Sequence, residues 1–214
     1  MTCSRPGRPA TARAVLVLGR EFFARPAPAV APDLIGCGLS YKGRGGVIVE
    51  TECYTADDPA CHGFNGMTER NRRLFGPPGT AYVYRSYGIH ELLNFVTDED
   101  GVAAAVLIRA IEPLWGLPAI TQRRPGRTER ELCAGPGRLT RALGITLADD
   151  GANLNRPPFL ITAPPTSVDS AQAAQAGPPA AVVAGPRIGI SKATERPWRF
   201  CAKGSRYLSR PGPA

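Results

Sequence analysis

GTAYVYRSYGIHELLNF, residues 79–95, decides the fold. Tyr82 and Tyr84 alternate as a strand requires and point to one face. The pattern breaks at Ser86-Tyr87-Gly88 and resumes over Leu92–Thr97. Two strands joined by so short a turn run antiparallel. Strand patterning leaves Tyr87 unexplained, because a large aromatic stands there beside a glycine at the turn. Three of the chain's six tyrosines fall within six positions of this stretch, so the cluster asks for a reason beyond core filling.

The flanking sequence continues the pattern. Gly46–Glu52 (GVIVETE) reads as a strand, as do Ala103–Ala110, Phe159–Thr162, Arg187–Ile190 and Trp198–Ala202. Helical segments are expected over Arg20–Ala24, within 31–40 ahead of a strand, over 114–123, and after the Gly-Pro turn of GPGRLTRALGI (135–145). GMTERNRRLF (66–75) reads as a polar helix or loop. Consecutive strands with short turns and helices at the sides predict an α+β fold: a single domain with a curved, mainly antiparallel sheet and peripheral helices. A length of 214 residues suits one such domain with a substantial core. Its expected extent is 14–208, with a surface excursion at 163–181. Residues 1–13 read as a disordered basic arm and 209–214 as a disordered tail.

The net charge is +8, with 23 Arg against three Lys. Such a balance favours an anionic partner, nucleic acid first. A genome rich in Arg, Ala, Gly and Pro accounts for the Arg/Lys ratio equally well. The apolar run Val102–Ile108 is too short to span a bilayer, and no signal-peptide cleavage region follows Ala14–Leu18, so the chain reads as cytoplasmic. The six cysteines include no CxxC pair, and the spacing of Cys53 and Cys61-His62 fits no zinc pattern, so no metal site is expected.

Glu50 and Glu52 lie two residues apart on the GVIVETE strand, about 6.5–7 Å apart along it. Two carboxylates at that separation can cleave a glycosidic bond, one as acid and one as base. The plain alternative is a solvent-facing pair at a strand end. Tyr54 and His62 follow closely. A glutamate beside an aromatic and a histidine is the material for a site that stacks a planar ring and activates water. A histidine after an Asp-Asp-Pro turn can equally be a cap or a core residue.

The ordered series VETECY, DPACHGF, TERNRRLFGPPGTAYVYRSYG, LLNFV, AAVLIRAIEP and LCAGPGRLTRALGI resembles the alkyladenine (3-methyladenine) DNA glycosylase family over about 20–208. The resemblance implies a barrel core like that of the formyltransferase C-terminal domain. It also implies a monomer that acts on damaged purines in double-stranded DNA, at the bacterial nucleoid, without metal or cofactor. By resemblance, Glu52 is the general base that deprotonates a water, Arg109 helps to hold that water, and the Ile188 carbonyl completes its site. Tyr54, His62, Tyr84 and Asn94 form the pocket for a flipped base, Asn94 discriminating against the guanine amino group. Tyr87 enters the duplex where the base had been. Tyr82 is assigned to the core and Glu50 to a structural role.

Elementary chemistry agrees with these roles. A stacked base cannot present its glycosidic carbon to a protein and must be extruded. A wedge offsets part of the lost stacking, and aromatic faces hold the purine. A cationic alkylpurine adds a cation–π term that normal bases lack. A lyase would need an amine nucleophile, and Lys42, Lys192 and Lys203 all lie outside the core motifs, so a monofunctional enzyme is expected. Arg70, Arg72, Arg73, Arg138 and Arg141, with the backbone of Gly135 and Gly137 at a helix start, are the candidate phosphate contacts. Relative to vertebrate members, the Tyr54–His62 loop is one residue shorter, and Arg85 and Ser86 replace apolar residues. Two other functions stay open: a catalytically silent nucleic-acid-binding module, and a carbohydrate glycosidase built on the 50/52 pair.

Overall fold

Two eleven-residue strands form the spine of the molecule. In the computed structural model, which describes residues 16–164 and 181–213, the chain begins with two short helices, α1 (Arg20–Phe23) and α2 (Ala27–Asp33). Four strands follow: β1 (Gly38–Tyr41), β2 (Arg44–Tyr54), β3 (Ala81–Ser86) and β4 (His90–Val96). After β5 (Ala105–Trp115) come α3 (Leu117–Arg123), α4 (Glu129–Leu132) and α5 (Pro136–Leu143). The last strands are β6 (Phe159–Thr162), β7 (Val182–Gly185) and β8 (Arg199–Ala202). The expected arm, 1–13, and most of the excursion lie outside the described residues.

The sheet is antiparallel throughout, in the order β3-β4-β5-β2-β1-β6. β2 is long enough to serve two partners on one edge: its first residues pair with β1, and Glu50–Glu52 pair with β8, which carries β7. A bulge flanks Glu50 where β2 meets β5. Gly46 is needed at this seam, since a Cβ there would lie 1.8 Å from the Glu112 carbonyl oxygen. The edges β3 and β6 are joined by residues 151–154. Ala81 N–H donates to the Ala152 carbonyl (2.7 Å), Leu154 N–H to Gly79 (3.0 Å), and Ile161 N–H to Leu154 (3.0 Å). The sheet therefore curls into a near-closed barrel, as a run of short antiparallel connections allows.

Helices cover what the curl leaves open. The α2 segment packs on β2, where Thr51 Oγ1 donates to the Ala31 carbonyl (2.9 Å). Helix α5 packs on β4 and β5, and Thr140 Oγ1 donates to the Glu91 carbonyl (2.7 Å). β2 and β5 are thus buried along nearly their whole length, including the charged Glu50, Glu52 and Arg109.

Several expectations need correction. The strand placed at 187–190 is not a strand: Gly189 sits at φ +76°, and the regular segment is β7, just before Pro186. β5 runs on to Trp115, and its helix starts only after Gly116, at φ +67°. Of 66–75, only Arg72–Phe75 forms a helical turn, of the 3-10 type. The end of the chain is not loose: Ser209, Arg210 and Pro211 are hydrogen-bonded to the sheet. Their partners are buried charges of the site described next.

Candidate active site

A cleft of about 1020 Å³ opens on one side of the barrel. Its walls are the β3–β4 hairpin, the loop after β2 (residues 59–62), the segment 188–192, the start of α5, and Ser209-Arg210. Tyr54, Arg109 and Ile188 form part of the wall. Glu52 does not line the cleft; it lies directly behind these three and is fully buried. The reading of Glu50 and Glu52 as a solvent-facing pair is therefore wrong for both, since each is 0% exposed.

Burial of two carboxylates requires donors, and the fold provides them. Glu52 Oε1 accepts the Ile188 N–H (2.7 Å), and Oε2 accepts Tyr54 Oη (2.9 Å) and Arg109 Nη1 (3.1 Å). Arg109 Nε donates to Glu50 Oε1 (3.1 Å). The carboxyl of Glu52 is pushed above the ordinary glutamate value, first by burial, against the opposing pull of Arg109, the Ile188 N–H and Tyr54. A raised pKa strengthens a base. Tyr54 is raised too, by burial and by the neighbouring Glu52 charge, so its hydroxyl stays a donor.

Ile188 meets Glu52 through its N–H. Arg109 is bonded to both carboxylates.

The aromatic residues converge on the cleft. The β3–β4 register sets Tyr82 opposite Asn94 and Tyr84 opposite Leu92. His62 meets the Tyr84 ring edge-on, with centroids 4.3 Å apart, and its Nδ1 lies 3.2 Å from Tyr82 Oη. Tyr82, assigned to the core, is buried but also lines the cleft and holds His62. Burial, and then Arg70, lower the His62 pKa, so the imidazole is neutral near pH 7. Tyr84 is pushed up to about 12 by burial. Asn94 Nδ2 donates to the Tyr82 carbonyl (3.1 Å), which leaves Oδ1 for a ligand.

Tyr87 is 90% exposed at the hairpin tip. Ile89 N–H donates to the Ser86 carbonyl (3.0 Å), and Tyr87 and Gly88 have φ of +49° and +72°. Positive φ at both central positions is the type I′ geometry, which favours Asn-Gly. A tyrosine there is strained by roughly 1–3 kcal/mol and has nothing to pack on, so its exposure has no folding benefit. Arg85, on the same hairpin, is paired with Glu91 (2.9 Å).

The cations divide. Arg70, Arg138 and Arg141 line the cleft with the backbone of Gly135 and Gly137. Arg72 and Arg73 do not: Arg72 pairs with Glu69 (3.3 Å), and Arg73 lies against Gly151. The cleft adds Arg124, Lys192 and Arg210, which sequence reading left out. Lys192 is the one that matters for the argument from lysine scarcity, since it stands on the cleft wall.

Sequence reading also missed a second buried ion pair. Arg187 Nη2 donates to Asp58 Oδ1 (3.0 Å), Nη1 reaches Oδ2 of the same carboxylate, and both side chains are 0% exposed. The Arg187 guanidinium also stands 4.7 Å from the Tyr54 ring. The pair joins the loop bearing His62 to the segment bearing Ile188. The partners are 129 residues apart, and no local pattern marks either as paired. The described cysteines, 37, 53, 61, 133 and 201, are free and buried. Among the described residues, no helix is long and apolar enough to cross a membrane.

A family model described as methylpurine-DNA glycosylase matches residues 21–206. A protein of Rhodopseudomonas palustris (strain BisB18) is 53% identical over 194 residues, covering 91% of each chain. One of Rhodopseudomonas palustris (strain ATCC BAA-98 / CGA009) is 50% identical over 217 residues and covers 100% of both chains. One of Nitrosospira multiformis is 54% identical over 182 residues, 85% of this chain and 88% of its own. All three carry the name "Putative 3-methyladenine DNA glycosylase".

Proposed function

The chain belongs to the methylpurine-DNA glycosylase family, and from that premise we propose that it excises alkylated or deaminated purines from duplex DNA by a Glu52-activated water. One observation carries the reading. A carboxylate has about four acceptor positions, and Glu52 uses three, on the Ile188 N–H, Tyr54 and Arg109. The fourth, on Oε1 beside Ile188, is where the nucleophilic water is held.

The flipped base lies among Tyr54, Tyr84 and His62, as aromatic faces and edges suit a purine. A neutral imidazole tolerates a cationic alkylpurine, which an imidazolium would repel. With Nδ1 held by Tyr82, Nε2 of His62 is left for the base edge. Asn94 Oδ1 faces exocyclic groups and selects among them. Water attacks C1′ as the C–N bond breaks, its proton passes to Glu52, and the carboxylate offsets the developing oxocarbenium charge. A cationic base leaves neutral and needs no acid. A neutral purine needs a donor at its edge, and Glu52 cannot be that donor while it acts as base.

Tyr87 fills the gap in the duplex, and Arg70, Arg138, Arg141 and the backbone at Gly135 and Gly137 hold phosphates. The product is an abasic site in an uncut strand. Lys192 is the residue through which a lyase would have to act, but lysine nucleophiles are activated by burial or a neighbouring cation, and Lys192 is exposed.

A single-turnover assay on duplexes containing 3-methyladenine, 7-methylguanine, hypoxanthine or ethenoadenine tests the reading. Release of at least one damaged base is expected. Tight lesion binding with no release would instead establish a silent binding module. A borohydride-trapped adduct lost in Lys192→Ala would overturn the monofunctional outcome.

A further inference from the structure

Glu50 collects four donors from three parts of the chain. Arg109 Nε (3.1 Å), Arg199 Nε (2.8 Å) and Ser209 Oγ (2.8 Å) meet Oε1, and the Ser209 N–H meets Oε2 (2.6 Å). Ser209 Oγ also accepts from Arg109 Nη2 (3.2 Å). With Nη1 on Glu52, all three guanidinium nitrogens of Arg109 are engaged. Arg199 turns its other nitrogens outward, to the Arg210 carbonyl (3.0 Å) and the Pro211 carbonyl (3.2 Å). Pro213 then crosses β7 so closely at Gly185 that a Cβ there would lie 2.6 Å from the proline ring.

We infer that the C-terminal segment Ser209–Pro211 is a built part of the active site, and that Ser209 and Glu50 are positioning residues that aim Arg109 at Glu52. The inference rests on the role proposed for Glu52. For Ser209–Pro211 it assigns a function beyond the family match, which ends at 206. Two carboxylates and two guanidiniums balance in charge within this layer. What this cluster lacks without Ser209 is a cap: Glu50 Oε2 loses its one donor among the described residues, and Arg109 loses one of the three contacts that fix its guanidinium.

Ser209→Pro removes the N–H and the hydroxyl together, and Ser209→Ala removes the hydroxyl alone. Excision of hypoxanthine is followed under single turnover across pH, with lesion-duplex binding measured in parallel. The Glu52 carboxyl is titrated by carbon-13 NMR, a readout that needs no turnover. Ser209→Pro is expected to slow excision about tenfold or more, a larger factor than any loss of lesion binding. The carboxyl titration moves to higher pH, because a loosened Arg109 opposes the effect of burial on Glu52 less. Ser209→Ala shifts both in the same direction by less, and it covers the case in which Ser209→Pro misfolds. A carboxyl titration that stays in place or moves down in Ser209→Ala would overturn the inference. So would a rate loss that only follows a fall in melting temperature. If the wild type released no base, the function reading would fail, while the titration would still decide the role of Ser209.

Discussion

Nη1 of Arg109 donates to Oε2 of Glu52 at 3.1 Å, and the two residues are 6% and 0% exposed. A carboxylate so placed is neither a surface charge nor a free base. Its burial raises the carboxyl pKa, and one cation opposes that rise. Glu52→Gln removes the charge and keeps the shape. Excision should fall by about 10²–10⁴-fold, the usual contribution of a positioned base. Lesion binding should survive, since the pocket walls are untouched. Near-normal release of base by this variant would end the assignment. Circular dichroism is needed alongside, because the change leaves Arg109 with less counter-charge.

The rate should carry an acid limb above the ordinary glutamate range. The base works ionised, and burial raises the Glu52 pKa over the opposition of Arg109, the Ile188 N–H and Tyr54. Excision therefore falls as pH drops through that raised value and levels off above it. Linkage has the matching sign: a carboxyl raised in the folded state takes up its proton more readily there than when unfolded. This group thus favours the folded state more as pH falls through the raised value. Single-turnover rates on hypoxanthine duplex give the limb; one at or below the free glutamate value would contradict the burial argument.

Tyr87 separates folding from function. Its φ of +49° suits glycine, and its ring contributes nothing to the core at 90% exposure. Tyr87→Gly should leave the melting temperature equal or higher. The same change should weaken lesion binding by about 1–3 kcal/mol, the worth of one stacked ring. Fluorescence binding to a duplex with a 2-aminopurine neighbour reads flipping directly. Unchanged binding would remove Tyr87 from the DNA interface.

Asp58→Ala should destabilise the fold by about 3–5 kcal/mol, because it strands the Arg187 guanidinium in a fully buried position. Arg187 neighbours Ile188, whose N–H holds Glu52, so the residual folded fraction should also cleave more slowly. Chemical denaturation and single-turnover kinetics separate the two effects. A loss below about 1 kcal/mol would mean that Arg187 finds other partners.

Salt dependence distinguishes the arginines that face the cleft from those that do not. Arg138→Ala and Arg141→Ala should each flatten the log K against log salt slope by about 0.9, one phosphate contact apiece. Arg73→Ala, packed at Gly151 away from the cleft, should leave it unchanged. Equal slopes for all three would dissolve the proposed phosphate track.

How much of this was legible in the residues follows from distance along the chain. The β3–β4 hairpin, the shared face of Tyr82 and Tyr84, and the oddity of Tyr87 are local facts, readable from a period of two and a turn, whereas the pocket roles of Tyr84 and Asn94 came from the resemblance. The sequence also determined that Glu52, Tyr54 and His62 lie within eleven positions, and their family resemblance gave each a role. It could not say whether two glutamates on a strand face water or the interior. Only the tertiary structure decided that, by bringing Arg109 from 57 residues away and Ser209 from 159. The same holds for Asp58 with Arg187, and for Arg72 and Arg73, whose charge alone suggested the cleft. A charged side chain carries no local pattern for its partner, because its cost of burial is offset by groups from other strands. Its place is settled only when the sheet curls and the end of the chain closes over it.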